Sequence, residues 1–334
     1  MSTNENGIIG ELTLESFAKK KSPAKFRENN SPGKKRNLRE ILLCLRPWSF
    51  SMTLVSVSVG SLLGLVLMGS FNVPLALLVL TGMIAVHGAS NIINDYMDTV
   101  YGVDKPGAPT TLYRIHPLLH NVLSSRELIC MTLVLYSIGI LIGLYLIILR
   151  GWPVAVLAIL GIFAGLEYTA EPLKYKYHGL GEIFVFLIWG PLMTLGAYYV
   201  QTGSWQGYQT VLVISVPLGI WVALVLLANN LKDMSYDYEM QIVTVPIWLG
   251  REKAFNLFAG MACSIYILSG IGILVGLLSG WFVLVFLSLP LALRLLRFFA
   301  ARPQFPPDAE PLTAGIFALY GGLLIISLIV VYIF

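Results

Sequence analysis

The chain has 334 residues, of which 57% are hydrophobic and only 12% charged, with a formal net charge of +4 and a mean hydropathy of +0.77. A soluble globular domain carries about twice that share of charge, so the composition excludes a water-soluble enzyme and identifies a membrane protein. Its three cysteines, Cys44, Cys130 and Cys263, are odd in number and far apart, which excludes a disulfide framework and a cysteine-based metal centre.

The first 40 residues contain KKKSPAKFRENNSPGKKR, with Pro, Gly, Ser and Asn throughout and too little apolar material for a core. This composition predicts a disordered basic tail that holds the N-terminus inside and attracts anionic lipid headgroups. No folded basic module accompanies it, so nucleic acid is not an expected partner. No apolar segment of signal-peptide type follows the early residues, and Glu5, Glu11, Glu15 and Glu28 speak against a mitochondrial transit sequence.

Residues 41–334 read as one transmembrane domain. Apolar stretches close to the roughly 20 residues that cross a bilayer lie at 47–69, 73–94, 128–149, 152–170, 181–200, 211–231, 254–278, 280–299 and 313–334. They are continuously apolar instead of alternating, so they predict about nine helices and an all-α bundle, not a barrel. Of the 22 Lys and Arg residues, all but Arg150 fall in the N-terminal tail or after an even-numbered span. The positive-inside rule then puts the N-terminus in the cytoplasm and the C-terminus outside a multi-pass cell membrane.

The second span ends in NIINDYMD (91–98), where Asn91, Asp95 and Asp98 share a face at helical spacing. The sixth ends in NNLKDMSYD (229–237), where Asn229, Asp233 and Asp237 recur every four residues. An isolated acid at a helix end needs only water; two clusters at the same side of the membrane make a cage whose mutual repulsion demands counter-charge. Oxygen ligands of this kind suit Mg²⁺ bridging to substrate phosphates, and no His or Cys stands at zinc-like spacing. A magnesium-bound diphosphate is the inferred ligand. Lys105, Arg114, Lys174, Lys176 and Lys232 are the bases that could meet phosphate oxygens, Arg114 foremost because guanidinium binds phosphate bidentately. His87 lies one turn before Asn91 on the same face and receives no catalytic assignment.

The residues resemble the UbiA superfamily of intramembrane prenyltransferases over roughly residues 40–334. The first family motif is matched by NDYMDTVYGVD, that is Asn94, Asp95, Asp98 and Asp104, with Asn91 one turn earlier. The second is matched by Asn229, Asp233 and Asp237, followed by Thr244 and Gly250, and RPWSF at 46–50 also matches. Within the superfamily, the stretch 177–203 looks most like 1,4-dihydroxy-2-naphthoate polyprenyltransferases of menaquinone synthesis. The chain departs from the pattern at YEMQIV (238–243), where relatives carry Gly and basic residues. It departs again at Lys232 in place of Arg, and at His116-Pro117 followed by Asn121 where relatives read Arg-Pro and then Gly.

The resemblance implies a helical bundle around a central cavity open to the cytoplasmic side. It also implies Mg²⁺-dependent transfer of a polyprenyl group from polyprenyl diphosphate to an aromatic acceptor, giving demethylmenaquinone. Asp95, Asp98, Asp233 and Asp237 are the expected catalytic residues and, with Asn91, the metal ligands. Asn91, Asn94, Arg114, Lys174, Tyr175, Lys176, Asn229 and Lys232 are the expected substrate-binding residues, with Asp104 in secondary support. Other acceptors of the same superfamily (4-hydroxybenzoate, a chlorophyllide, a haem, a glyceryl phosphate lipid), a transporter and a non-catalytic relative are the alternatives.

Overall fold

The computed structural model describes residues 37–334. The basic tail therefore lies outside the described residues, except that its last residues enter a short helix, α1 (Leu38–Cys44), capped by the Asn37 side chain. Among the described residues, eight helices are long and apolar enough to cross a membrane. They are α2 (Phe50–Met68), α3 (Val73–Val100), α5 (Ser125–Arg150), α7 (Gly181–Thr202), α8 (Tyr208–Glu239), α10 (Arg251–Leu274), α11 (Gly280–Ala300) and α12 (Ala309–Ile333). Short α4 (Pro109–Tyr113) and α9 (Val245–Leu249) lie in the loops after α3 and α8. The fourth expected span (152–170) is shorter than expected: its helix, α6 (Trp152–Leu166), has 15 residues and so reaches only about 22 Å, short of a bilayer core of about 30 Å.

The spans expected at 73–94 and 211–231 are longer than their apolar stretches. Helix α3 has 28 residues and α8 has 32, about 42 and 48 Å of helix, so the last turns of both extend past a hydrocarbon core. Those turns carry the two acidic clusters. The polar residues sit at helical spacing, so the hydrogen-bond ladder continues after the apolar signal has stopped.

Helix α8 is the axis of the larger core, where Trp221, Leu224 and Leu227 are fully buried against Tyr266 of α10 and Phe317 and Tyr320 of α12. Its approach to α7 depends on two glycines. A Cβ on Gly190 would stand 2.8 Å from the Gly219 backbone, and one on Gly219 would stand 2.5 Å from the Phe186 carbonyl oxygen. Such contacts let helix backbones touch inside a membrane. Helix α7 has a π-helical turn at Ile188–Leu192, around Pro191, which has no N–H to give the ladder. Ser56 of α2 donates to the Trp189 carbonyl in that turn at 2.6 Å.

Candidate functional site

The last two turns of α3 bury their acids completely: Asp95 is 0% and Asp98 2% exposed. Buried carboxylates need compensation, and each receives it from a different part of the chain. Arg114, in the extended residue after α4, grips Asp95 bidentately, Nη1 to Oδ2 at 2.9 Å and Nη2 to Oδ1 at 2.7 Å. Arg46, in a left-handed conformation just before Pro47, adds an ion pair to Asp95 and a 3.1 Å hydrogen bond to Asn94 Oδ1. Burial works against the Arg114 charge, but Asp95 outweighs it and holds the pKa above its usual range.

Asp98 is held from the turn at 175–177. Lys176 Nζ donates to it at 2.5 Å, the Tyr177 hydroxyl donates to its other oxygen, and Asn94 Nδ2 adds a bond at 3.1 Å. Burial would neutralise Lys176, but Asp98 and then Asp104 keep the ammonium above its ordinary range. Burial and Asp98 together push the Tyr177 phenol well up.

Asp104 follows on the loop after α3, accepting from Thr110 Oγ1 at 2.7 Å and from His116 Nε2 at 3.1 Å. Burial would raise its pKa, yet the His116 hydrogen bond, with Lys176 and Thr110, leaves it lowered. Asp95, Asp104 and His116 present oxygen and nitrogen atoms within 4.8 Å of one another, but the set does not fit a metal. Both Asp95 oxygens face guanidinium. His116 Nδ1 accepts from the Leu119 N–H at 3.2 Å, so Nε2 carries the proton and has no lone pair to offer. Asn121 adopts φ 53°, a left-handed conformation that Asn enters more readily than other non-glycine residues.

The second cluster is differently compensated. Lys232 Nζ lies 3.0 Å from Asn229 Oδ1 and 3.5 Å from Asp233, with the Tyr113 ring 4.1 Å away. Among the described residues Asp237 makes no side-chain hydrogen bond and no ion pair, yet it interacts electrostatically with Asp233, Lys176 and Asp98. The clusters are tied together by their loops: Tyr236 donates to the Val103 carbonyl at 2.5 Å, and Val243 N to the Tyr177 carbonyl at 3.3 Å.

A cavity of about 310 Å³ begins among Asp98, Lys176, Asn229 and Glu310 and continues along α3 past Ser90, His87 and Met83 to Val79. Nineteen residues separate Val79 from Asp98, about 28 Å of helix. His87 is the polar feature midway. Ser49 Oγ donates to the Arg46 carbonyl and accepts from Asn91 Nδ2, so the ring must donate to it through Nε2 at 3.2 Å. Thr53 Oγ1, which accepts from Trp189 Nε1, donates to Nδ1 at 2.8 Å. Both nitrogens are engaged, which leaves His87 no lone pair for a substrate proton.

Most residues expected at the site converge: Asn94, Asp95, Asp98, Arg114 and Lys176 in one group, and Asn229, Lys232, Asp233 and Asp237 in the other. Lys174 does not join them. It pairs with the exposed Glu171 at 2.8 Å and lies over the Tyr101 ring, because its left-handed backbone turns it apart from Lys176. Lys105 likewise lies against Met240 and Tyr236 at the end of α8. The Asn91 amide N–H groups go to the Leu45 carbonyl and Ser49, tying the 45–49 turn to α3. Tyr175 donates to the Ala164 carbonyl and stacks on Phe184, so it forms aromatic wall at the cavity. Sequence reasoning missed Arg46, Tyr177 and Glu310 at the site. Arg46 stood in a noted motif, but only the left-handed turn brings it to Asp95.

A model of the UbiA prenyltransferase family matches residues 53–320. UbiA prenyltransferase domain-containing protein 1 of Danio rerio is 32% identical over 292 residues, covering 85% of this chain and 83% of that one. The 1,4-dihydroxy-2-naphthoate octaprenyltransferase of Bacillus subtilis is 27% identical over 312 residues, covering 91% of this chain and 97% of its own. Among solved structures, a UbiA homologue from Archaeoglobus fulgidus bound to GPP and Mg²⁺ has the same fold, with a TM-score of 0.63 at 16% identity, covering 88% of this chain and 100% of that chain.

Proposed function

This chain belongs to the UbiA prenyltransferase family, and from that premise we propose that it transfers a polyprenyl group from polyprenyl diphosphate to 1,4-dihydroxy-2-naphthoate. The observation that carries the reading is the form of the cavity. It is polar where α3, α8 and the 175–177 turn meet and predominantly apolar along the rest of α3, which suits a diphosphate head on a long isoprenoid tail. The Bacillus relative, matched over nearly its whole length, supports the naphthoate acceptor.

The donor set fits a hard cation: it is all oxygen, Asp237 makes no side-chain hydrogen bond or ion pair among the described residues, and Asp233 pairs with one lysine at 3.5 Å. Asp233 and Asp237, with Asp98 near them, would hold Mg²⁺, which supplies charge neutralisation for the departing diphosphate. Asp95 has a different part in this reading, as the anchor that fixes Arg46 and Arg114 beside the phosphate position. Lys176 and Tyr177, now on Asp98, are placed to donate to diphosphate oxygens as negative charge develops there. The C1–O bond of the donor breaks with its electron pair leaving on diphosphate. The allylic carbon then bonds to the electron-rich ring carbon, whose carboxylate leaves as CO₂ to give the reduced form of demethylmenaquinone. The apolar wall excludes water, which would otherwise capture the cation as an alcohol. The Lys and Arg distribution supports placing this end of the bundle, and the N-terminus, on the cytoplasmic side of the cell membrane.

The test is Mg²⁺-dependent diphosphate release and prenylated product formation by the purified chain, with Asp237→Asn as control. Parallel assays use 4-hydroxybenzoate and the other acceptors of the family. Product with naphthoate alone establishes the reading; product with another acceptor reassigns the acceptor; a folded protein inactive with all of them overturns the transferase reading.

A further inference from the structure

Glu182 closes the run HGLGE and has no part in the chemistry above. It lies in the first turn of α7, 8% exposed, and one of its oxygens accepts from Asn230 Nδ2 of α8 at 2.9 Å. The other oxygen is buried with no hydrogen-bond partner, and among the described residues no Lys or Arg makes an ion pair with Glu182. Every acid of the first cluster has a cation or histidine beside it, so this carboxyl stands apart. A carboxyl buried within a helix bundle and left without counter-charge is costly to keep.

Its partner explains its place. Asn230 borders the cavity and its side-chain oxygen makes no hydrogen bond among the described residues. The bond to Glu182 fixes the amide so that this oxygen remains free as an acceptor. Beside it, Gly181 lets α7 pack closely on α8: a Cβ there would stand 3.0 Å from the Leu226 side chain, with the Tyr168 ring in ordinary contact at 3.9 Å. Tyr168 meets Tyr175 edge to face at 5.3 Å, and both rings border the cavity. Burial, and then Glu182, push the Tyr168 phenol above its usual range, so it stays a neutral donor. This wall combines flat aromatic surface with one fixed amide acceptor. It also abuts the diphosphate end, since Asn230 and Tyr175 line the same cavity as their chain neighbours Asn229 and Lys176.

We infer that Tyr168, Tyr175 and Asn230 form the subsite for a hydroxylated aromatic acceptor, with Glu182 as the positioning residue that orients the Asn230 amide toward the acceptor's hydroxyl. The inference rests on the transferase reading above and adds where the acceptor ring lies.

The experiment compares wild type, Asn230→Ala, Glu182→Leu and Glu182→Gln, each as full chain in lipid nanodiscs. Two quantities are read: KM for 1,4-dihydroxy-2-naphthoate at saturating donor, and Kd for a non-reactive polyprenyl thiolodiphosphate with Mg²⁺. Asn230→Ala and Glu182→Leu are expected to raise the acceptor KM roughly tenfold or more while the thiolodiphosphate Kd stays within about twofold. Glu182→Gln keeps an oxygen for the Asn230 amide and restores the acceptor KM to near wild type. Should Glu182→Leu fail to fold, Asn230→Ala and Glu182→Gln still decide. An unchanged acceptor KM in Asn230→Ala, or a parallel loss of thiolodiphosphate affinity, overturns the subsite. Wild type that binds the thiolodiphosphate but prenylates no hydroxylated aromatic overturns the acceptor reading itself, and the subsite with it.

Discussion

Lys176 Nζ lies 2.5 Å from the Asp98 carboxylate, joining the turn before α7 to the last turn of α3. Lys176 and Tyr177 both reach Asp98 from that turn, so the 175–177 segment is attached to the first cluster through this one acid. In the proposed transferase, a diphosphate at this end of the cavity would offer these donors a more highly charged acceptor than Asp98, and a cation held at Asp98 would compensate the acid they leave.

Lys176→Met is therefore predicted to weaken donor binding. A hydrogen bond from a charged group contributes about 1.5–3 kcal/mol, or roughly tenfold to a hundredfold in Kd. Titration of the polyprenyl thiolodiphosphate into the variant measures this directly. Unchanged affinity removes Lys176 from the diphosphate site and leaves it as a strut for Asp98.

Asp95 and Asp237 look equivalent in the sequence, each an acid in an Asn/Asp repeat, but they are predicted to fail differently when changed to Asn. Asp95→Asn leaves two guanidinium groups, one of them fully buried, without their counter-charge; removing one partner of a buried ion pair costs about 3–5 kcal/mol, less here because Arg46 is partly exposed. Asp237→Asn breaks no side-chain hydrogen bond or ion pair among the described residues and should change stability by no more than about 0.5 kcal/mol, while activity is lost. Thermal unfolding in one detergent, beside diphosphate release, separates the two. Equal destabilisation by both substitutions would reject the division of labour between anchor and ligand.

That contrast marks what could be read beforehand. The helical spacing of Asn91, Asp95 and Asp98, and of Asn229, Asp233 and Asp237, was visible because side chains four residues apart share a face. The helix type and most spans were visible for the same reason: apolar character accumulates over about 20 residues. Which acid faces a guanidinium and which stays open depends on chain reversals instead. Arg46 reaches Asp95 through a left-handed residue, and Lys174 parts from Lys176 through another. Single backbone angles leave little trace in composition. Glu310, at the start of α12, came to the cavity by tertiary packing alone.

Cation binding without donor is predicted to depend on Asp233 and Asp237 before it depends on Asp98. The α8 acids lack strong partners, whereas Asp98 must first release Lys176 and Tyr177. Mn²⁺ followed by electron paramagnetic resonance in donor-free protein should show binding that Asp237→Asn weakens roughly tenfold or more, since affinity at such sites follows ligand charge. Asp98→Asn should leave that donor-free binding nearly intact. If both substitutions abolish it alike, the two clusters form one preassembled site and the asymmetry has no bearing on cation loading.

His87 gives the last prediction, because its hydrogen bonds determine its tautomer. Ser49 has one proton, and it lies on the Arg46 carbonyl at 2.8 Å; Thr53 accepts from Trp189 and has its own proton for Nδ1. The ring proton therefore sits on Nε2, and His87 links α3 to the turn whose left-handed Arg46 reaches Asp95. Nitrogen NMR of histidine-labelled protein should report His87 as the neutral Nε2–H form, assigned by its loss in His87→Leu. His87→Leu leaves the Ser49 and Thr53 hydroxyls short of a partner, a loss of about 1–3 kcal/mol, and loosens Arg46. His87→Asn, shorter but able to donate and accept, should recover part of both stability and donor affinity. A His87 signal in the Nδ1–H form would break this chain of bonds at Ser49 and with it the link to Arg46.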